Sequence, residues 1–276
     1  MTPTPVLSIL LMLAPAAAWM IGLAGLRKRL LLNPEWSRKL LHTGGGLMAL
    51  GLPWLFQSAG PVLILCAASL LGLLAINRIP ALHRRVGGVV DGVDRESHGE
   101  LYFVSATGLL FLIAGGDALL FSVPMAILTF ADSAAALVGQ RFGRHRFQAG
   151  AGTKTVEGSA AFFITALVSA QVGLQVLADR DPAETFLLAL WLTLLLTLVE
   201  AAAGRGTDNF FIPITGCLLL RVYLDCPASR LMLHLINAVS ACALAVLIRR
   251  HPFRDRMEHH RGASWPSPFT SRPQRI

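Results

Sequence analysis

Long apolar runs constrain the fold of this chain more than any other feature of its sequence. Stretches of about 20 apolar residues recur along most of the chain, and each is long enough to cross a hydrocarbon core of about 30 Å. Hydrophobic residues make up 54% of the 276 residues and charged residues only 14%, which is far from the composition of a soluble domain. The sequence therefore predicts an all-α, polytopic integral membrane protein.

Nine runs are predicted to form transmembrane helices. They lie at about 5–26, 38–56, 61–79, 101–115, 117–140, 158–178, 183–203, 209–224 and 230–248. The fourth run is short and the eighth contains Pro213, so re-entrant segments there would leave seven to nine crossings. We expect one helical domain over residues 1–248, followed by a basic, disordered cytoplasmic tail over 249–276.

Basic residues fall mainly in alternate loops. Of the 24 Lys and Arg residues, 21 lie in the segments 27–39, 77–100, 141–157, 204–208 and 249–276. The positive-inside rule places these segments in the cytoplasm and the N-terminus outside, in a cell inner membrane. This orientation accounts for most of the net charge of +8, so no nucleic-acid partner is expected.

Polar residues within the apolar runs collect on the cytoplasmic side of this topology. Ionisable groups are costly in lipid and generally face a bundle interior or a water-filled cavity. In the segment N-P-E-W-S-R-K-L-L-H, Arg38, Lys39 and His42 fall in the first turns of a helix. Cations at a helix N-terminus favour a phosphate site, although these residues would also serve as a cytoplasmic anchor for the helix.

A second cluster of charges precedes the fourth run. The polar segment that ends at Glu100 also contains Arg95 and Glu96. The apolar residues Leu101-Tyr102-Phe103 follow it directly. A solvated loop with local ion pairs would explain these charges alone. The abrupt change to apolar residues, however, predicts that the cluster lies at the membrane interface.

A carboxylate lies on a stripe of small residues in the fifth run. Asp132, Ala136, Gly139 and Gly143 recur at spacings of four, three and four, which places them on one helix face. Close packing of a neighbouring helix would explain the glycines but not the carboxylate. We therefore interpret Asp132 as functional, because intramembrane carboxylates are costly.

A basic, glycine-rich loop, residues 144–152, leads from this helix into T-K-T-V-E-G-S. Glycines and exposed backbone N–H groups can surround phosphate oxygens while a lysine supplies charge. Lys154, Thr155, Glu157 and Gly158 are therefore candidate nucleotide-binding or catalytic residues. The loop is not a Walker A motif, because Thr153 precedes the lysine and no strand is predicted before it.

Asp208 and Asn209 are adjacent at the predicted start of the eighth run. A carboxylate and an amide oxygen are hard ligands that suit Mg²⁺, although Asp208 would also cap the helix. With Asp132 on the same face and a basic glycine loop nearby, the set fits the needs of phosphoryl transfer.

Five ordered motifs resemble those of the polyprenol kinase family, which includes dolichol kinase, phytol kinase and CTP-dependent diacylglycerol kinase. They are R-K-L-L-H at 38–42, R-E-S-H-G-E-L-Y-F at 95–103, D-x-x-A-x-x-x-G-x-x-x-G at 132–143, K-T-V-E-G-S at 154–159 and D-N-x-x-I-P at 208–213. The resemblance covers about residues 34–216. It implies a membrane enzyme that transfers the γ-phosphate of CTP to the hydroxyl of a lipid alcohol with a divalent metal.

The resemblance also implies roles for residues. Asp132, Asp208 and Asn209 would hold Mg²⁺, and Lys154 with the glycine loop would bind the triphosphate. The nucleotide site would further include five residues: Gly139, Gly143, Thr155, Gly158 and Lys39.

Arg95 and Glu96 are assigned to the same nucleotide site. Arg38 and His42, with the neighbouring lysine, would neutralise the transferring phosphoryl group. Glu157 would orient Lys154 or accept the proton of the alcohol.

Two other classes of protein stay open on this sequence. A cytidylyltransferase acting on a phospholipid such as phosphatidate would also use CTP and metal, but it would attack the α-phosphate. A transporter would use the same intramembrane charges without a nucleotide.

Overall fold

The computed structural model describes residues 4–90, 98–149, 152–204 and 206–250. Arg95, Glu96 and most of the predicted disordered tail lie outside these ranges. The chain divides into two compact units, Met1–Leu231 and Met232–Ile276, and the candidate site lies entirely in the first. The division predicted at residue 248 stays a prediction.

Helices form most of the described chain. In order they are α1 (Pro5–Leu30), α2 (Pro34–Leu50), α3 (Leu52–Leu55), α4 (Ala59–Arg78), α5 (Pro80–Leu82), α6 (Gly88–Val90), α7 (Gly99–Ala114), α8 (Ala118–Phe142), α9 (Val156–Leu177), α10 (Pro182–Ala202), α11 (Asp208–Tyr223) and α12 (Ala228–Arg250). A π-helical turn, His83–Gly87, lies between α5 and α6. Two short strands, β1 (Arg146–Ala149) and β2 (Gly152–Thr155), lie between α8 and α9.

Capping residues determine where several helices begin. Asn33, Asp117 and Asp181 precede α2, α8 and α10, and each side chain accepts a hydrogen bond from a backbone N–H of the first turn. Pro34 and Pro182 occupy the first position of α2 and α10, where the missing N–H costs nothing. These local signals explain why α2, α8 and α10 begin close to the first residues of the predicted apolar runs.

The predicted apolar runs all lie in helices of the described chain, and the second is divided between α2 and α3. Five helices, α1, α4, α8, α9 and α10, are long and apolar enough to cross a membrane by length and composition, and α7 is a shorter apolar helix. The all-α membrane architecture is thus confirmed. A count of nine crossings is not confirmed by these helices.

Helix α8 lies at the centre of the first unit and is buried along most of its length. It packs against α2, α9 and α11, and its contact with α9 is the most extensive between any two elements described. A Cβ atom added to Gly158 of α9 would lie 2.9 Å from the carbonyl oxygen of Ala135 and 3.3 Å from the Cα of Gly139. The stripe of small residues therefore allows the backbones of α8 and α9 to approach closely.

The predicted loop before α9 contains an antiparallel hairpin. Strands β1 and β2 pair from Arg146 opposite Thr155 to Ala149 opposite Gly152. No strand is predicted here from the sequence, and this expectation is wrong. Strands of four residues without a repeating apolar pattern carry too little periodicity to be recognised.

Gly158→Ala is expected to lower the free energy of unfolding by about 1–3 kcal/mol, because the new Cβ would overlap the backbone of α8. Gly22→Ala on α1 is the matched control, since a Cβ there would have no neighbour within 4 Å. Alanine also has the higher helix propensity, so the control is expected to be at least as stable as the original protein. Thermal unfolding in detergent measures both variants, and equal midpoints would contradict the close contact of α8 with α9.

Candidate functional site

Ionisable side chains from several helix ends meet at one end of the bundle. The N-terminal turns of α2, α7, α9 and α11 and the C-terminal halves of α8 and α10 supply them. Two clusters can be distinguished by their lysines: the Lys39 cluster between α2 and α8, and the Lys154 cluster between β2, α10 and α11.

The Lys39 cluster contains a buried ion pair. Lys39 Nζ donates to Asp132 Oδ2 at 2.5 Å, and the side chains are only 6% and 9% exposed. His42 Nε2 lies 3.6 Å from the same carboxylate oxygen and 3.3 Å from the carbonyl oxygen of Leu128. The predicted functional residues Lys39, His42 and Asp132 are therefore brought together, with the carboxylate between two nitrogen groups.

Arg38 lies at the edge of this cluster and has its own partner. Its Nη2 donates to Glu35 Oε1 at 2.6 Å, three residues earlier on α2. Both side chains are largely buried. Arg38 thus keeps a fixed position beside Lys39, but its closest carboxylate is Glu35 and not Asp132.

The Lys154 cluster places one ammonium between two carboxylates. Lys154 Nζ lies 2.6 Å from Glu200 Oε1 and 3.4 Å from Asp208 Oδ2, and it also donates to the backbone carbonyl of Glu200. Ser159 donates from Oγ to the other carboxylate oxygen of Glu200 at 3.0 Å. Since two carboxylates face one ammonium, the cluster has an excess of negative charge.

Asn209, next to this cluster, has an oxygen that is buried and unpaired. Its Nδ2 donates to the carbonyl oxygen of Gly99 at 3.0 Å, which ties the start of α11 to the start of α7. Its Oδ1 has no hydrogen-bond partner among the described residues. A buried amide oxygen beside the carboxylate of Asp208, in a cluster of net negative charge, fits the donor set that Mg²⁺ prefers.

The predicted metal ligands do not form one protein-only site. Asp132 binds Lys39, whereas Asp208 binds Lys154. Among the residues the structure describes, no group of three or more His, Cys, Asp or Glu side chains is placed to hold a metal. Mg²⁺ in phosphoryl-transfer sites generally takes one or two carboxylates and completes its coordination with phosphate oxygens and water, so the donors present suit a metal–nucleotide complex.

In this structure the carboxylate of Glu157 is paired with His145, whereas Lys154 is paired with Glu200 and Asp208. Oε1 of Glu157 lies 2.7 Å from Nδ1 of His145, and both oxygens accept from the backbone N–H of His145. The cause is the hairpin, because the N–H of Val156 donates to the carbonyl of His145 and brings this residue to the start of α9. A role of Glu157 in orienting Lys154 or in accepting a proton stays a prediction.

Four residues of the predicted nucleotide site make packing or capping contacts within the protein. Thr155 caps α9 by accepting a hydrogen bond from the N–H of Gly158 at 3.1 Å. Its side chain fills the space beside Gly139 and Gly143, where an added Cβ would lie within 3.0 Å of it. These contacts explain the residue types by structure, and a contact of these four residues with nucleotide stays a prediction.

Glu200 is the main member of the site that sequence reasoning left out. It lies at the end of α10, is 5% exposed and is the nearest carboxylate to Lys154. The signal was present, since a carboxylate at the end of an apolar run is as costly as Asp132. Its partner was hidden, because the two residues are 46 positions apart.

The distribution of lysine also marks the site. The chain has three lysines, Lys28, Lys39 and Lys154. Lys28 is exposed at the end of α1, whereas the other two are the central cations of the two clusters. A membrane chain with many arginines thus places its few lysine ammonium groups largely at this site.

Comparisons with known proteins indicate which family the chain resembles. The family model described as "Cytidylyltransferase family" matches residues 39–206, more than half of the chain. A protein named phytol kinase from Synechocystis sp. is 28% identical over an alignment of 206 positions, which covers 71% of this chain and 83% of that protein. No solved structure matches the chain significantly.

Lys39→Met is expected to lower the free energy of unfolding by about 3–5 kcal/mol, because Asp132 would stay buried without the ammonium group that pairs with it. The double variant Lys39→Met/Asp132→Asn is expected to be more stable than Lys39→Met alone, since it buries no charge. Unfolding of both single variants and the double variant in detergent gives the coupling energy. Additive effects would contradict the direct pairing of these residues.

Proposed function

Since the chain belongs to the cytidylyltransferase family, we propose that it transfers the γ-phosphoryl group of CTP to the hydroxyl oxygen of a membrane lipid alcohol, with release of CDP and of the hydroxyl proton. The similarity to a phytol kinase supports a lipid alcohol kinase as the class of enzyme. Phytol, farnesol, polyprenol and diacylglycerol are the candidate acceptors.

The observation that carries this proposal is the pair of lysine clusters at one end of an apolar bundle. Phosphoryl transfer requires cations that bind the phosphates and an acidic site for a divalent metal. Lys39 with Asp132, and Lys154 with Glu200 and Asp208, supply both kinds of group. The surrounding helices are apolar enough to keep a lipid substrate beside them.

The cationic side chains have distinct tasks in this proposal. Lys154, at the end of the hairpin, binds the triphosphate of CTP in exchange for part of its contact with Glu200 and Asp208. Lys39 and Arg38 neutralise the charge of the phosphoryl group during transfer, and Asp132 holds the Lys39 ammonium in place.

Asp208 and Asn209 would hold Mg²⁺ together with phosphate oxygens, and Asp132 is the further candidate ligand from α8. The bound metal would supply Lewis-acid stabilisation of the charge on the phosphate oxygens. The unpaired Oδ1 of Asn209 supports this assignment, because a buried amide oxygen without a partner is costly.

The site is proposed to lie on the cytoplasmic face of the cell inner membrane, with the N-terminus outside. The loops beside the two clusters contain most of the basic residues outside the C-terminal tail, which supports this orientation.

A cytidylyltransferase is the second candidate, and the description of the matching family favours it. Such an enzyme would bind the same nucleotide and metal, but the acceptor would be a lipid phosphate that attacks the α-phosphate and releases pyrophosphate. The position of the transferred phosphorus atom separates the two reactions.

Membranes containing the protein are expected to transfer label to lipid from CTP labelled at the γ-phosphate, and not from CTP labelled at the α-phosphate. The acceptors tested are phytol, farnesol, a polyprenol, diacylglycerol and phosphatidate, and lipid products are separated by chromatography. Transfer of the α-label would establish cytidylyl transfer instead. Transfer of neither label would contradict both reactions and favour a transporter.

Lys154→Ala is expected to raise the KM for CTP by about tenfold or more, because a charge-assisted contact to phosphate is lost. The KM for the alcohol is expected to change little, since the lysine lies on the nucleotide side. Lys28→Ala is the matched control, because it removes the exposed lysine of α1. An unchanged KM for CTP in Lys154→Ala would remove this residue from the phosphate site.

A further inference from the structure

A cavity of about 320 Å³ lies between α1, α2, α3, α4 and α7. Along α4 it extends from Leu65 to Ile76, a length of about 16 Å at the helical rise of about 1.5 Å per residue. Its lining is mostly aliphatic and aromatic. The volume lies near the lower end of the range of about 300–1,000 Å³ for small-molecule pockets, which suits a single hydrocarbon chain.

Among the described residues, the ionisable nitrogen and oxygen groups that line this cavity lie at one end of it. They are His42 in α2 and Glu100 in the first turn of α7. The hydroxyls of Ser69 and Thr107, which also line the cavity, donate to carbonyl groups of their own helices. The rest of the cavity therefore offers few polar partners to a ligand.

The polar end of the cavity adjoins the Lys39 cluster. His42 belongs to both, because its ring lines the cavity and its Nε2 lies 3.6 Å from Asp132 Oδ2. The charges of Arg38 and Lys39 also act on the Glu100 carboxylate. A hydroxyl group at this end would thus lie beside the cations that the proposed kinase uses for the phosphoryl group.

Among the described residues, no other side chain is placed to donate a hydrogen bond to the Glu100 carboxylate. No basic side chain within the described ranges lies at ion-pair distance from its carboxylate, which interacts with its own backbone N–H. A carboxylate at the end of an apolar cavity is costly unless a ligand or water donates to it. An alcohol is the simplest amphipathic ligand that fills the cavity with its tail and donates from its hydroxyl.

We propose that this cavity holds the hydrocarbon tail of an alcohol with one chain, and that Glu100 accepts a hydrogen bond from its hydroxyl group beside His42. The inference rests on the proposed kinase function, since that function supplies the alcohol as substrate. It adds the binding place of the tail and the residue that positions the hydroxyl.

Gly72 provides a steric test of the cavity. It lines the cavity, and a Cβ atom added to it would have no neighbour within 4 Å, so a larger side chain can enter without displacing the backbone. Gly60, on the same helix, has equal space around its Cβ position but lies outside the cavity lining. Gly72→Leu and Gly60→Leu are therefore matched variants.

Kinetics with γ-labelled CTP are measured for alcohols of increasing chain length, from prenol to farnesol and phytol. For Gly72→Leu, the KM for farnesol and phytol is expected to rise about tenfold or more, because the tail overlaps the new side chain. The KM for CTP and the behaviour of Gly60→Leu are expected to match the original protein. An unchanged chain-length profile in Gly72→Leu would overturn the assignment of the cavity.

A binding measurement separates failure of this inference from failure of the kinase proposal. A farnesol analogue with a diazirine at the end of its tail is photolysed with the full chain in nanodiscs without nucleotide. Labelled peptides are expected from the cavity-lining parts of α1 and α4, with labelling reduced by phytol and by Gly72→Leu but not by Gly60→Leu. Labelling elsewhere, or labelling insensitive to Gly72→Leu, would overturn the cavity assignment whatever reaction the protein catalyses.

Glu100→Gln tests the hydroxyl contact. The KM for the alcohol is expected to rise about tenfold, because a charge-assisted hydrogen bond becomes a neutral one, while the KM for CTP stays unchanged. Glu184→Gln, which changes an exposed carboxylate at the start of α10, is the control and is expected to change neither constant. A merely structural role of Glu100 would move both constants or the thermal midpoint, and that result would overturn its assignment to the hydroxyl.

Discussion

The buried ion pair between Lys39 and Asp132 is the contact on which the arrangement of the site depends most. A lone charge in apolar surroundings is costly, and Lys39 and Lys154 each have a carboxylate partner from another element. For Lys154 the nearest partner is Glu200. Pairing of charges between helices therefore favours particular contacts between helix ends. Apolar packing stabilises the bundle but does not select these contacts.

The parts of the fold that could be predicted are those that depend on local sequence signals. Apolar runs of membrane length, together with caps such as Asn33 and Asp181, place the helices close to where the structure has them. Asp132 and Lys39 were also recognisable, because a charge in an apolar segment requires an explanation even when its partner is unknown. Lys154 was recognisable from the basic, glycine-rich loop that precedes it. Each of these inferences needs only a short window of sequence.

The hairpin is local and was not predicted because its short strands lack an apolar period, whereas the other unpredicted features depend on contacts between distant residues. Lys154 binds Glu200 rather than the nearby Glu157, because the hairpin turns Glu157 toward His145. The cavity is likewise formed by five helices, and no single segment contains a signal for it. A pattern within one helix can show that a face is apolar, but not whether a neighbour fills it or leaves a space.

Thr155 has a consequence for the thermodynamics of ligand binding. It ends β2, caps α9 and fills the space beside the glycines of α8, so three elements are joined at one residue. Lys154 is its immediate neighbour, and its backbone is therefore already ordered before any anion arrives. In the proposed kinase, binding of a phosphate group there would require little loss of backbone conformational entropy, and its free energy would reflect mainly the exchange of carboxylate partners for phosphate.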